Sequence, residues 1–230
     1  MPERDVNDFS EFHPGRLCGR GLPVGLPCLT RCRPAPGAGT GAAVDYNSGP
    51  MAEPAAYPQE LERDVLLKDG TRVHLRPIRP DDAPRLQALY DRLSRHTAYQ
   101  RFFTVMKRLP PDWALILASV DYRTRLALVA ERPGEHGPEL IGVGRYEPTD
   151  EPGGAEVAFV VQDGWQNKGL GTVLFNAVLD AATARGIALF RAWVLTDNRR
   201  MLDLIVRFGD IKQRKTEQGV TELAFTARKR

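Results

Sequence analysis

Beyond residue 60 this 230-residue chain has no cysteine; Cys18, Cys28 and Cys32 all precede it. A domain without cysteine holds no disulfide and no thiol nucleophile, which suits a reducing cytoplasm. The Cys28–Cys32 spacing could serve a metal, but no histidine or second pair completes a site, so no metal is expected. Serine is nearly as scarce: only Ser94 and Ser119 lie beyond residue 60. His74, His96 and His136 form no nucleophile elbow around either, which argues against covalent catalysis and for direct attack. No apolar run approaches the roughly 20 residues that span a bilayer. The N-terminus lacks a basic region followed by an apolar stretch, so no secretory leader is expected. Charge of one sign is also missing. The net +3 divides into 27 Lys+Arg against 22 Asp+Glu beyond residue 60, and 5 against 7 before it. That mild basicity suits an anionic small ligand and is too weak for nucleic acid.

The composition changes sharply along the chain. Residues 1–60 are rich in Gly, Pro and Ala and carry no sustained period of 2 or 3.6. Such a segment cannot bury enough apolar surface to offset its ordering entropy, so it is expected to be disordered. Met51 stands at the junction and is a candidate true start, the alternative being a flexible N-terminal extension. Residues 61–230 carry periodic patterns and form one expected domain.

Within that domain, alternation predicts a strand over residues 72–78, ended by proline. Asp81 or Asp82 is expected to cap a helix reaching about Leu93, with Leu86, Leu89, Tyr90 and Leu93 on one face. Ser94 opens a second short helix through about Phe103, and residues 112–119 add a turn or two. Strands are expected at 125–131, 139–146, 155–161 and 189–195, and a closing hairpin at 211–215 and 220–225. Helices are expected at 169–184, stopped by Gly186, and at 199–207. The order is that of a mixed α/β sheet.

The most informative stretch is Gln166-Asn167-Lys168-Gly169-Leu170-Gly171, between the fourth expected strand and the helix after it. The first N–H groups of a helix lack internal partners and carry partial positive charge. Glycines let a phosphate approach that backbone. The segment therefore reads as a pyrophosphate cradle or as a plain glycine-containing turn. It is not a Walker loop, and Leu174 stands where a dinucleotide fingerprint needs glycine.

In this setting the chain resembles the GNAT superfamily of acetyl-CoA-dependent N-acetyltransferases. Gln166, Gly169 and Gly171 fill its Gln/Arg-x-x-Gly-x-Gly/Ala hallmark, and Asn198 matches an asparagine that follows its fifth strand. Asp69-Gly70-Thr71, the run from Leu75 to Asp82 and Arg101-Phe102-Phe103 are similar to one branch, the bacterial protein lysine acetyltransferases, whose targets include acyl-CoA synthetases. The resemblance covers about residues 64–227. It implies a mixed, mostly antiparallel sheet flanked by helices, with acetyl-CoA in a gap between the fourth and fifth expected strands. The pantetheine would pair with backbone near Phe159 and Val161, where an N–H would polarise the thioester. The pyrophosphate would meet N–H groups of Asn167, Lys168, Gly169, Leu170, Gly171 and Thr172, Lys168 adding charge. Asn198 would bond the cofactor or cap the next helix. The acceptor would be a protein lysine.

A lysine has a pKa of about 10.4, so on the order of one in a thousand is neutral near neutral pH. Glu156, an acid inside an apolar strand, is the candidate base; in the branch a glutamate at this position has that role. The alternative is a solvent-facing residue near a strand start. Asp163 beside the cradle is expected to shape the turn. Ile205 stands where many relatives carry a tyrosine acid, and Tyr146 is a possible substitute. The rival functions are acetylation of a small amine and a non-catalytic acyl-CoA-binding module, the second hinted at by Ile205 and opposed by Glu156.

Overall fold

The computed structural model describes residues 56–135 and 137–228. Residues 1–55, with the three cysteines, Met51 and most of the expected disordered segment, lie outside the described residues. Eight strands form one sheet in the order β1-β2-β3-β4-β5-β6-β8-β7. They are β1 (Arg63–Leu66), β2 (Arg72–Pro77), β3 (Leu126–Arg132), β4 (Glu139–Pro148), β5 (Gly154–Val161), β6 (Leu189–Leu195), β7 (Gly209–Glu217) and β8 (Val220–Ala227). The helices are α1 (Ala83–Asp91), α2 (Arg95–Phe102), α3 (Pro111–Ala118), α4 (Leu170–Ala184) and α5 (Arg199–Phe208). Neighbouring strands pair antiparallel except β5 with β6. The fold is thus mixed α/β with a mostly antiparallel sheet flanked by helices.

The sheet separates two cores, and alternation along β3 sorts side chains between them. Leu126, Leu128 and Ala130 face α4 and α5. Ala127 and Val129 face α1, α2 and α3. Helix α4 buries Leu170, Leu174, Phe175 and Val178 against the sheet. Each such side chain stabilises the fold by about 1.5–3 kcal/mol. At Gly144 of β4 an added Cβ would lie 2.8 Å from the Phe159 ring and 3.0 Å from Val178, so only glycine lets these layers close.

Three details depart from the sequence reading. Strand β1 was not expected, because Arg63, Asp64 and Leu66 are exposed and give no apolar face. It is held by backbone pairing from Arg63–Leu75 to Leu66–Arg72. Residues 57–60, assigned to the disordered segment, are part of the packed domain. The Tyr57 ring meets Tyr122 edge-on at 5.6 Å, and the Arg79 guanidinium lies 4.5 Å from its centre. Asp82 does not cap α1 with its side chain. It is buried, accepts from the Arg79 N–H at 2.9 Å and takes the Arg76 guanidinium at 2.7 and 2.8 Å.

Candidate active site

Strands β5 and β6 pair only over their first residues, ending at Glu156–Arg191. Beyond that point β6 continues with β8 and β5 with β4, and a cleft of about 460 Å³ opens between them. The Gln162 N–H donates to the Ile141 carbonyl at 3.0 Å, on the β4 side. By strand alternation the peptide groups of Val157, Phe159 and Val161 face the other way, into the cleft. From Glu156 to Val161 the wall runs about 16 Å at strand rise.

The cradle closes one end. Asn167 and Gly169 have φ of 64° and 92°, and Gly169 is the N-cap of α4. An added Cβ at Gly169 would meet the Lys68 side chain at 3.2 Å, so its glycine is demanded by the fold. Gly171 differs: a Cβ there would meet nothing within 4 Å. The residue lines the cleft, and its bare Cα leaves space above the free N–H groups of the first helical turn, which fits a phosphate. Gln166 secures the loop, donating to the Val161 carbonyl at 3.0 Å and accepting from Arg200 at 2.8 Å. Asp163 accepts from the Ser94 hydroxyl at 2.6 Å and the Thr97 hydroxyl at 2.7 Å, locking the start of α2 beside the cradle. Asn198 caps α5, accepting from the Met201 N–H at 3.2 Å, and also lines the cleft.

Of the cradle residues picked out in the sequence, Gln166, Asn167, Gly169, Gly171 and Thr172 line the cleft. The Leu170 side chain belongs to the core. Lys168 needs correction as a source of free charge. Its ammonium lies 3.0 Å from Asp69 and 4.8 Å from the Trp165 ring centre, away from the cleft wall. The lysine at the cleft is Lys68, from the turn joining β1 and β2. Its N–H donates to the Lys168 carbonyl at 3.1 Å, its stem covers Gly169, and its ammonium has no partner among the described residues. Nothing in the local sequence singles out Lys68; only the docking of the hairpin on the cradle brings it there.

Glu156 lies at the other end, on the sheet face toward α2. It is 7% exposed, lines the cleft, and its Oε2 has no hydrogen-bond partner among the described residues. Burial pushes its carboxyl up to about 8, with the Arg101 charge opposing and Glu147 adding to the rise. Glu147 is its cross-strand partner on β4. Burial alone would raise Glu147 too, but the Arg145 and Arg125 guanidinium groups beside it hold it below the usual range. Two opposed carboxyls with environments that pull their pKa values apart are the arrangement expected of an acid–base site. Tyr146 is no substitute acid: it is fully buried, donates to the Arg123 carbonyl at 2.9 Å, and is pushed up to about 12, mainly by burial. Ile205 is core, and its neighbour Leu204 lines the cleft instead.

A family model described as the acetyltransferase (GNAT) family matches residues 87–210, more than half of the chain. An acetyltransferase of Pseudomonas aeruginosa is 32% identical over 148 residues, covering 64% of this chain and 80% of that protein. Acetyltransferase Pat of Mycolicibacterium smegmatis is 34% identical over 149 residues, 64% of this chain and 44% of that longer protein. Among solved structures, the GNAT domain of S. lividans PAT superposes with a TM-score of 0.67 at 34% identity, covering 74% of this chain and 99% of that one.

Proposed function

This chain belongs to the acetyltransferase (GNAT) family and is an acetyl-CoA-dependent N-acetyltransferase; we propose that its acceptor is the side-chain amine of a protein lysine and that Glu156 is the general base. The observation that carries the reading is the unpartnered, buried carboxyl of Glu156 at the end of an open cleft. An isolated buried carboxyl is costly, and most buried polar groups in folded proteins are partnered. The likeness to a relative named Pat and to the GNAT domain of S. lividans PAT supports the protein-acetyltransferase branch, and the resemblance to that branch implies an acyl-CoA synthetase as one target.

In this mechanism the free N–H groups at Gly169, Gly171 and Thr172 hold the pyrophosphate, and Lys68 adds charge. The peptide edge of β5 aligns the pantetheine, and the Phe159 N–H polarises the thioester carbonyl. Ionised Glu156 takes one proton from the acceptor ammonium. The neutral nitrogen attacks the carbonyl carbon, the N–C bond forms, the C–S bond breaks, and the thiolate leaves. Of the two protons left on nitrogen one passes to water and the other stays on the amide. The thiolate leaves unprotonated or takes a proton from water, so no tyrosine acid is required at position 205.

The test is incubation with isotope-labelled acetyl-CoA and a cell lysate, followed by mass spectrometry of acetylated lysines. Labelled lysines that depend on the active protein are the expected result. Labelled polyamines or amino acids without labelled protein would overturn the protein-lysine reading, and binding without turnover on any amine would overturn catalysis.

A further inference from the structure

The guanidinium of Arg101 is a cation lining the cleft, with Glu156, that the mechanism leaves unused. It projects from the last turn of α2, where the helix stops at Phe103 with φ 54°, and lines the cleft together with Glu156. It has neither a hydrogen bond nor an ion pair with any described residue, and it lies 5.0 Å from the centre of the Phe102 ring. Beneath it lies a small apolar hollow bordered by Leu93, Phe102, Val143 and Val160. Burial and then the nearby Arg145 charge lower it to about 10, so it stays charged at neutral pH.

The local charges do not balance. Near Glu156, Arg125 and Arg145 form ion pairs with Glu147, and neither pair involves Arg101. Glu147 is occupied by Arg125 and Arg145. Arg145 also donates to the Leu117 carbonyl at 3.1 Å. Glu156 makes no ion pair with Arg101, and burial raises its pKa to about 8. On the neighbouring strand Arg191 is held by Glu151 at 2.6 Å and Glu222 at 2.8 Å, and across the cleft Asp203 is exposed and makes no pair with Arg101. One half-buried guanidinium is therefore left at the cleft wall with no anion beside it among the described residues, a place a ligand's anion can fill.

We propose that Arg101 receives a carboxylate carried by the acceptor, so that the preferred substrate is a lysine with an acidic residue beside it. This rests on the protein-lysine reading above. A planar guanidinium binds a carboxylate through two parallel hydrogen bonds, a match that fixes orientation as well as charge. An acceptor with both groups would set its amine toward Glu156 and its acid toward Arg101. The acid would also offset the repulsion that the surplus cation exerts on an arriving ammonium.

The experiment compares peptides of one sequence whose central lysine is flanked by glutamate, glutamine or arginine, together with Nα-acetyl-lysine and its amide. Rates are measured at saturating acetyl-CoA for the wild type and for Arg101→Gln. The expected result is a kcat/KM about 10- to 100-fold higher for the glutamate peptide in the wild type, lost in Arg101→Gln. If that variant fails to fold, Arg101→Lys serves: it keeps the charge, loses the fork and should retain only part of the preference. Equal use of all three peptides by the wild type, or an undiminished preference in the variant, overturns the proposal. A preference confined to Nα-acetyl-lysine over its amide assigns Arg101 to the carboxylate of a free amino acid and overturns the peptide form. Transfer to no amine at all overturns the underlying reading and this proposal with it.

Discussion

Two charge clusters are buried in the same sheet. In the first, Arg76 is bound by both oxygens of Asp82 and by Glu131 at 2.9 Å, and its Nη1 also reaches the Pro77 carbonyl at 3.0 Å. In the second, around Glu156, a carboxyl oxygen and the Arg101 guanidinium are left without partners. The first cluster is paired throughout within the protein, whereas the second leaves the buried Glu156 oxygen and the half-buried Arg101 unpaired among the described residues. The same contrast recurs at the cradle. Lys168 is paired and Lys68 is not; the space beside Gly169 is filled and that above Gly171 is open. Saturated groups hold the fold, while groups left open mark where a ligand must complete the bonding.

That contrast can be broken experimentally. The largest effect is expected from Gly171→Val, which fills the open space. Acetyl-CoA binding should vanish in calorimetry while the circular dichroism spectrum stays native, and wild-type affinity would remove the phosphate assignment. Next, Glu156→Gln should leave acetyl-CoA affinity near wild type and lower turnover by about 10²–10⁴-fold. The deficit should shrink as pH rises toward the amine's own pKa, because the acceptor then arrives neutral. A deficit that stays constant from about pH 8 up to the amine's own pKa would rule out the base. Because the folded-state pKa of Glu156 is raised to about 8, its stabilising contribution is full below about pH 4.5 and is lost as pH rises through 8. Denaturant titrations should therefore show Glu156→Gln gaining on the wild type across that window.

The saturated cluster predicts the opposite behaviour. Asp82→Ala strands Arg76 and should cost about 3–5 kcal/mol of stability. Turnover per folded molecule should hardly change; a specific loss of turnover would mean that the clusters are coupled. The smallest effect separates the lysines. Lys68→Ala should raise the KM for acetyl-CoA by about tenfold, as expected for one lost charge-assisted contact. It should leave the KM for S-acetylpantetheine, which has no pyrophosphate, unchanged. Lys168→Ala should stay close to wild type in both assays, since its exposed pair with Asp69 is worth little.

What could be read from the sequence follows from this division. Strand β6 was expected over 189–195 and is found there, because alternation of buried and half-buried residues is local. Glu156 stood out because an acid interrupts an apolar strand. Strand β1 was hidden because its place depends on pairing with β2 and not on an apolar face. Lys68 and Arg101 were not picked out as site residues, since each acquires its environment only when distant segments meet. Lys168 was misjudged for the same reason: the acid that takes its charge lies in the β1–β2 turn.

The parting of β5 from β6 has a thermodynamic consequence. From Val157 onward one edge of β5 lacks a neighbouring strand, so the free protein keeps an incomplete sheet at its centre. A ligand that bonds to this edge serves as the missing strand and binds only the folded form. By mass action its binding free energy then adds to the stability of the whole domain, about 2.7 kcal/mol at a hundredfold excess over its Kd. Melting temperature thus becomes a readout of cleft occupancy that needs no acceptor, and acyl-CoA analogues can be ranked by it before the target lysine is known.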